Sequence, residues 1–510
     1  MKVDYLKIRS RFKNLLDATV DFDERHLMTV IVGSNGSGKS NIIEALVSIF
    51  RNLDLGESPP FSYEIRYRLG ADGEFNWITV DADPENGSTP DKQYQITSQI
   101  GAEQKKSLRI SAVKRSKEGA SSYLPKHLFA YYSGPSDRLE RYFRKHRSEF
   151  YRKLLRSEIS LKGEIRPLFY AKPIHSQFVL LAFYLTAQEE FSQNFLLEQL
   201  GIERLDSVHF VMRKPGWAKS DNKDELFWGA DGVVREFLDS LFPYALAPLK
   251  LTRNEDATLT GSNIKNEFFH LFIPDLESMR QFATGLSPDV FFKMLESTLL
   301  SEILSEVSIR VKTKWSDEPL SFSELSEGEQ QLLTVLGLLR FTGGEDSLFL
   351  LDEPDTHLNP GWSTKYLEYV RGFTPNHDTS HVLMVTHHPL AIAELEKEQI
   401  QVMTVVESED GFRTIAREPE KSPRGLGYSG ILMSDMFNLR SDVDQHTLER
   451  MHRRAVLAAQ EDLSAEQLEE LNSLNCYLDH LGYSNFDSDP YFKDFLQRYD
   501  IEKVVEPEPL

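Results

Sequence analysis

Cysteine is nearly missing from this chain: Cys476 is the single one among 510 residues. A lone thiol excludes a disulfide framework and a zinc site built on cysteine pairs, and it suits a reducing, cytoplasmic setting. Long apolar runs are missing as well, with no stretch approaching the roughly 20 apolar residues that cross a bilayer, so no membrane partner is expected. The opening Met1-Lys2-Val3-Asp4-Tyr5-Leu6-Lys7-Ile8 alternates charged and apolar residues as a strand does, and a signal peptide is not expected there. Positive charge is in deficit. With 58 Lys and Arg against 79 Asp and Glu, the net charge is −21, which excludes a surface that binds nucleic acid everywhere and confines any such contact to a patch. Sustained heptads and internal repeats are also absent, so neither a long coiled-coil arm nor a repeat array is expected. What remains is a chain of 40% hydrophobic content, long enough for two to four packed regions.

Two groups of residues carry chemistry. The buried strand Leu27-Met28-Thr29-Val30-Ile31-Val32 runs into Gly33-Ser34-Asn35-Gly36-Ser37-Gly38-Lys39-Ser40, and from Asn41 apolar residues recur at helical spacing. This is the strand–loop–helix setting of a phosphate loop. Asn35, Gly36, Ser37, Gly38, Lys39, Ser40 and Asn41 are the nucleotide-binding candidates. Backbone N–H groups and the helix N-terminus surround phosphate oxygens, Lys39 reaches the β- and γ-phosphates, and Ser40 is placed to hold Mg²⁺. Farther along, the apolar strand Ser347-Leu348-Phe349-Leu350-Leu351 ends in Asp352-Glu353. Asp352 is the second Mg²⁺ candidate and Glu353 the group that polarises an attacking water; the bland alternative is a strand end with two solvated acids. The strand His381-Val382-Leu383-Met384-Val385 leads into Thr386-His387-His388-Pro389. His387 is the candidate sensor of the γ-phosphate, with His388 its competitor, and no second cluster with ligand spacing makes the pair a metal site.

Buried apolar strands alternating with helices predict an α/β fold whose sheet is mostly parallel, with ligands at the strands' carboxyl ends. Alternating segments from about Phe61 to Ile110 add an antiparallel sheet, with a turn at Asp83-Pro84-Glu85-Asn86-Gly87. The expected organisation is a lobe with the glycine-rich loop over 1–145, a mainly helical insertion over 146–300, a second lobe with the paired acids and the histidine loop over 301–420, and a helical region over 421–510.

Leu325-Ser326-Glu327-Gly328-Glu329-Gln330-Gln331 resembles the signature of the ABC-type ATPase superfamily, and Asp352-Glu353-Pro354-Asp355-Thr356-His357-Leu358-Asn359-Pro360 resembles the Walker B and D-loop of its RecF-, SMC- and OLD-like branch. The resemblance implies ATP and Mg²⁺ as ligands, a homodimer or higher homo-oligomer, and a signature (Ser326, Glu327, Gly328, Glu329) that completes the γ-phosphate site of a second subunit, with Asp355 in the D-loop. The physics agrees, because a Ser hydroxyl and exposed N–H groups at a helix start form an anion site that one chain cannot fold onto its own loop. The transporter branch's glutamine-bearing loop is not evident; Tyr131-Tyr132-Ser133-Gly134 stands there, with Ser133 the candidate substitute. The opening Lys7 to Leu15, the loop after Gly134 and the segment Gly430 to Leu439 are similar to the PtuA ATPases of Septu-type and retron-associated antiphage systems. That likeness implies a regulatory ATPase acting on a separate HNH nuclease subunit, with DNA or a retron reverse transcriptase and its DNA product as further partners. A RecF-like repair ATPase that binds DNA is the alternative.

A built-in nuclease is not expected. Glu407 and Asp442-Val443-Asp444 could suggest one, but Glu409-Asp410-Gly411 reads as a hairpin turn and Asp444 as a helix cap. The interleaved stretch Arg141 to Arg147, with Arg144, Lys145 and Arg147 foremost, is the candidate nucleic-acid contact against the alternative of a solvated helical face. Leu468, Leu471, Leu474, Leu478 and Leu481 form an apolar stripe in a helical tail over Thr447 to Tyr499, able to dock on its own domain or on a partner.

Overall fold

The strand Met28–Gly33, buried from Met28 to Val32, lies inside a seven-stranded sheet. The computed structural model describes residues 1–483 apart from 72–73, 117–120, 160–166, 186–189, 219–225, 257–262, 409–410, 440 and 461. Across the sheet the strand order is Gly411–Arg417, Ile400–Ser408, Met28–Gly33, Ser380–Val385, Ser347–Asp352, His127–Tyr132 and Leu168–Tyr170. All neighbours run parallel except the first two, which form an antiparallel hairpin at the edge. Ser347–Asp352 and Ser380–Val385 are buried at every position, as strands covered on both faces must be.

The two covers follow from period-two alternation. Ile31, Leu348, Leu350, Leu383 and Val385 face one core, which holds the helix Lys39–Leu55 and the N-terminal sheet. Val30, Val32, Phe349, Leu351, Val382 and Met384 face the other, which holds the helices His175–Leu185, Glu327–Thr342 and Pro360–Phe373. Each fully buried Leu or Ile here contributes about 1.5–3 kcal/mol. The N-terminal sheet is six-stranded and antiparallel, in the order Ala18–Asp21, Lys2–Ile8, Tyr63–Leu69, Asn76–Ala82, Tyr94–Ile100 and Lys106–Leu108. The sequence indicated both sheets, and the fold class is the mixed parallel and antiparallel α/β arrangement with flanking helices.

Residues 146–300 hold the expected helices, His175–Leu185, Gly232–Leu241 and Pro288–Leu300 among them. They also hold three long strands that the sequence pattern did not indicate: Ile202–Arg213, Leu246–Asp256 and Asn263–Ile273, of 12, 11 and 11 residues. With Leu304–Thr313 and Ser316–Ser321 these form a five-stranded antiparallel sheet. The pairing of Ile202–Arg213 with Leu304–Thr313 shifts register at Ile202/Arg204, Leu205/Ser207 and Val211/Met212. Each bulge breaks the alternation that marks a strand, which leaves short apolar runs that fit either element.

By internal contacts the chain forms two units, Met1–Ile431 with Asp435–Phe437, and a second that begins with Leu432–Ser434 and resumes at Asn438. In the second, the helices Gln445–Ala458 and Ala465–His480 are joined by two hydrogen bonds of 2.8 Å from Arg453 to Glu470. Asp444 caps the first by accepting from the Thr447 N–H at 3.0 Å. Of the leucine stripe, Leu478 is buried while Leu468 and Leu481 are exposed. The tail beyond residue 483 and the turn residues Glu409 and Asp410 lie outside the described residues.

Gly33 ends its strand at φ 140°, and a Cβ there would stand 2.2 Å from the carbonyl oxygen of Met403. Gly33→Ala is expected to cost about 3 kcal/mol of stability through strain and overpacking. Chemical denaturation checks this as a lowered midpoint with unchanged slope.

Candidate functional site

Four loops converge where adjacent parallel strands end. Asp352 lies opposite Val385 on one side and Tyr132 on the other, and Val385 lies opposite Ile31. The glycine-rich loop, the two acids, the histidine loop and the tyrosine loop therefore share one rim of the sheet.

The glycine-rich loop turns through Gly36 at φ 80° and Gly38 at φ 95°. Gly38 caps the helix Lys39–Leu55 without any side-chain hydrogen bond, so the helix presents uncapped N–H groups to the loop. Lys39 folds back over the loop and donates to the carbonyls of Gly33 at 2.8 Å and Ser34 at 3.1 Å. Burial holds its ammonium below the usual lysine range, with Glu353 and Asp352 opposing that shift. An anionic ligand would relieve this, since a buried ammonium gains most from negative charge.

The Ser40 hydroxyl donates to Asp352 Oδ1 at 2.8 Å. Asp352 is fully buried, its other oxygen, Oδ2, has no hydrogen-bond partner among the described residues, and burial pushes its pKa up to about 6. A hydroxyl oxygen with free lone pairs beside an unmatched carboxylate oxygen is the donor set that a hard divalent cation takes. Ser40 and Asp352 therefore fit Mg²⁺.

Glu353 adopts φ 54°, a left-handed conformation that is strained for glutamate, and its N–H donates to the Val385 carbonyl at 2.9 Å. Its carboxylate meets His387, whose Nδ1 lies 3.3 Å from Glu353 Oε1. The hydrogen bond from His387 holds Glu353 below the usual carboxylate range, and the same bond holds His387 above the usual imidazole range. His388 does not share this place. Its Nδ1 is buried without a hydrogen-bond partner among the described residues, and its N–H donates to the Thr386 hydroxyl at 2.9 Å. Thr386 in turn donates to Asp355 Oδ2 at 2.7 Å, and burial pushes the pKa of Asp355 up to about 6. Asp355 is thus tied to the histidine loop within its own chain.

Ser326 caps the helix Glu327–Thr342 in a reciprocal box: its Oγ accepts from the Glu329 N–H at 3.3 Å, and Glu329 Oε2 accepts from the Ser326 N–H at 2.6 Å. Ser326 and Glu327 are exposed. Gly328 is buried, and a Cβ there would fall 2.4 Å from the His357 carbonyl oxygen. Gln331 connects this helix to the acids by donating to the Glu353 carbonyl at 3.3 Å and accepting from the His357 N–H at 3.1 Å. Ser133 is engaged with the same segment, since its hydroxyl lies 3.2 Å from that of Thr356.

The basic stretch lies on the helix Glu140–Leu155, where acids from the same unit meet it. Arg144 pairs with Asp137 at 2.5 Å, Arg147 with Glu140 at 2.7 Å, and Lys145 with Glu57. Arg141 reaches Glu44 Oε1 at 2.6 Å. These pairs favour the solvated, internally neutralised face over a phosphate-binding one. Glu407 lies exposed opposite Phe412 in the edge hairpin. Among the described residues no group of three or more His, Cys, Asp or Glu is arranged to hold a metal, and no helix is long and apolar enough to cross a membrane.

Sequence reasoning gave no role to Arg138, Glu44 or Asn14. Arg138 Nη2 donates to Asn41 Oδ1 at 2.8 Å and to Glu44 Oε2 at 3.2 Å. Asn14 donates to the Gly36 carbonyl at 2.8 Å. The available signal was Glu44, an acid on the buried side of an otherwise apolar helix.

The model of the RecF/RecN/SMC N terminal domain family matches residues 3–410. Among solved structures, the SMC head domain from Thermotoga maritima is similar over 82% of this chain and 100% of its own, at 13% identity and a TM-score of 0.32. Stu0660 of Streptococcus thermophilus is similar over 97% and 99%, at 11% identity and a TM-score of 0.27. No curated protein matches the chain.

Proposed function

The chain belongs to the RecF/RecN/SMC N-terminal domain family, and from that premise we propose that it is a nucleotide-gated assembly switch whose output lies in another protein. Membership makes it an ATP-binding ATPase head of the ABC type. In this proposal Asn35 to Asn41 hold the phosphates of ATP, Lys39 reaches the β- and γ-oxygens, and Ser40 and Asp352 hold Mg²⁺, which neutralises phosphate charge when bound. Glu353 polarises the attacking water, and His387 orients Glu353 and meets the γ-phosphate. Ser326 to Glu329 of a second copy close the site, so that two ATP molecules lie between two heads.

One observation carries the ATPase part: the Ser40 hydroxyl bonded to a buried Asp352 that keeps one oxygen unmatched, beside an ionised Glu353 turned toward His387. The finer part, control of a separate HNH nuclease in an antiphage complex, rests on the likeness of Lys7 to Leu15, the loop after Gly134 and Gly430 to Leu439 to PtuA ATPases. A RecF-like repair ATPase is the competing reading and has the same family in its favour.

Plasmid cleavage and DNA binding by the purified chain separate the two. The switch predicts slow ATP hydrolysis, no cleavage by the chain alone, and cleavage once an HNH subunit joins it. ATP-dependent DNA binding that weakens steeply with salt and is lost on charge reversal at Arg144 and Arg147 would establish the repair reading instead. Metal-dependent cutting by the chain alone, abolished at Glu407 and Asp442, would remove the switch.

A further inference from the structure

Arg138 belongs to the loop after the strand His127–Tyr132, where the transporter branch's glutamine-bearing loop is not evident. From there it reaches the helix that opens at the phosphate loop. Its Nη2 donates to Asn41 Oδ1 at 2.8 Å; Asn41 Nδ2 donates to Asn14 Oδ1 at 2.6 Å; and Asn14 Nδ2 donates to the Gly36 carbonyl at 2.8 Å. Every bond in this relay runs in the same donor-to-acceptor direction, from the guanidinium to the backbone of the phosphate loop. Such chains polarise one another and hold their members in one arrangement.

Both ends of the relay are anchored. At the arginine end, Glu44 is fully buried and takes hydrogen bonds from Lys13, Arg138, Arg141 and Tyr142. At the other end, the turn from Phe12 to Leu15 is closed by two backbone hydrogen bonds of 2.8 and 2.9 Å. It leans on the loop so closely that a Cβ on Gly38 would fall 2.7 Å from Leu15 Cδ2 and 2.9 Å from Asn14 Oδ1. Asn14 and Leu15 therefore press the phosphate loop from outside while Arg138 holds Asn41 beside Ser40.

Arg138 also has a donor to spare. Its Nε is buried and has no hydrogen-bond partner among the described residues. An unmatched buried N–H is costly, and native proteins keep few of them without a use.

We propose that Arg138 is a positioning residue for ATP hydrolysis, fixing the phosphate loop through Asn41 and Asn14 from the place where the glutamine loop of the transporter branch would stand. This rests on the nucleotide-site reading above. Its role is distinct from that of Lys39, because Arg138 acts through the loop and not as the main phosphate ligand.

Steady-state kinetics and equilibrium MgATP binding of Arg138→Gln, Arg138→Lys and Asn14→Ala test this, with nucleotide-free melting as the control for folding. Arg138→Gln is expected to lower kcat on the order of 10- to 100-fold with little change in the MgATP dissociation constant. Arg138→Lys, which keeps the charge but not the two-armed donor, should recover part of that loss. The double variant Arg138→Gln with Asn14→Ala should be no slower than the worse single variant, because both cut one relay. If the unmodified protein binds no MgATP, the nucleotide-site reading falls and Arg138 with it. If the unmodified protein binds and hydrolyses ATP while Arg138→Gln keeps wild-type kcat, or the two substitutions add independently, Arg138 is not a positioning residue and the nucleotide site stands.

Discussion

Glu353→Gln is expected to slow ATP hydrolysis by a factor on the order of 10² to 10⁴ while MgATP binding stays intact, because the amide cannot accept a proton from water. The geometry singles out this residue and not Asp352. Asp352 is buried and engaged with Ser40, whereas Glu353 is half-buried, ionised, and turned out of the strand by a strained φ of 54°. The substitution leaves the Glu353 N–H bonded to the Val385 carbonyl and changes volume little, so the loop keeps its course. Single-turnover hydrolysis measured beside equilibrium binding checks the expectation. Unchanged turnover would mean that another group activates water.

Ser326→Arg is expected to abolish ATP-dependent association and to reduce turnover by about 10²-fold or more, since it removes a donor to the γ-phosphate and puts bulk where the second head must approach. Within its own chain the substitution costs only a helix cap, about 1 kcal/mol, and the fold survives. ATP binding by the substituted chain should therefore remain near normal, because the glycine-rich loop and Ser326 are argued to serve different copies of the site. Mixing Ser326→Arg with Lys39→Ala protein gives a sharper form of the test. One of the two composite sites then has both an intact loop and an intact signature, and partial turnover should return.

The strand, glycine-rich turn and helix around Lys39 were legible because each part has a local cause. An apolar strand, glycines able to take positive φ, and Lys-Ser at a helix start can be read within about twenty residues. The acids were legible for the same reason, as charge that ends a buried strand. Legibility failed where the cause lies far away in the chain. Arg141, Arg144, Lys145 and Arg147 read as a basic patch, yet Glu44 and Glu57, which neutralise two of them, come from another helix and its flank about 90 residues earlier. Arg138 looked like one polar loop residue among several until folding brought it to Asn41 and Glu44. The strand Ile202–Arg213 was hidden for a different reason, because its register shifts erased the alternation that would have announced it. The leucine stripe from Leu468 to Leu481 was legible as a stripe, but only Leu478 is fully buried, so the pattern overstated the packing.

The capping box at Ser326 also bears on the speed of any switch. Glu329 occupies the hydroxyl and N–H of Ser326 within one chain, at 2.8 Å and 2.6 Å. In the proposed switch, a γ-phosphate arriving from a second copy would compete with that carboxylate for the same donors, and the expected result is slow, assembly-limited turnover.

In the proposed switch, ATP brings two copies together across the signature. Light scattering on the Glu353→Gln protein tests it most directly, because this variant holds ATP without consuming it. The account predicts that MgATP doubles the molecular mass, that ADP does not, and that adding Ser326→Arg to the same chain abolishes the increase while ATP remains bound. A mass that stays the same with and without MgATP, under conditions where binding is saturated, would contradict it.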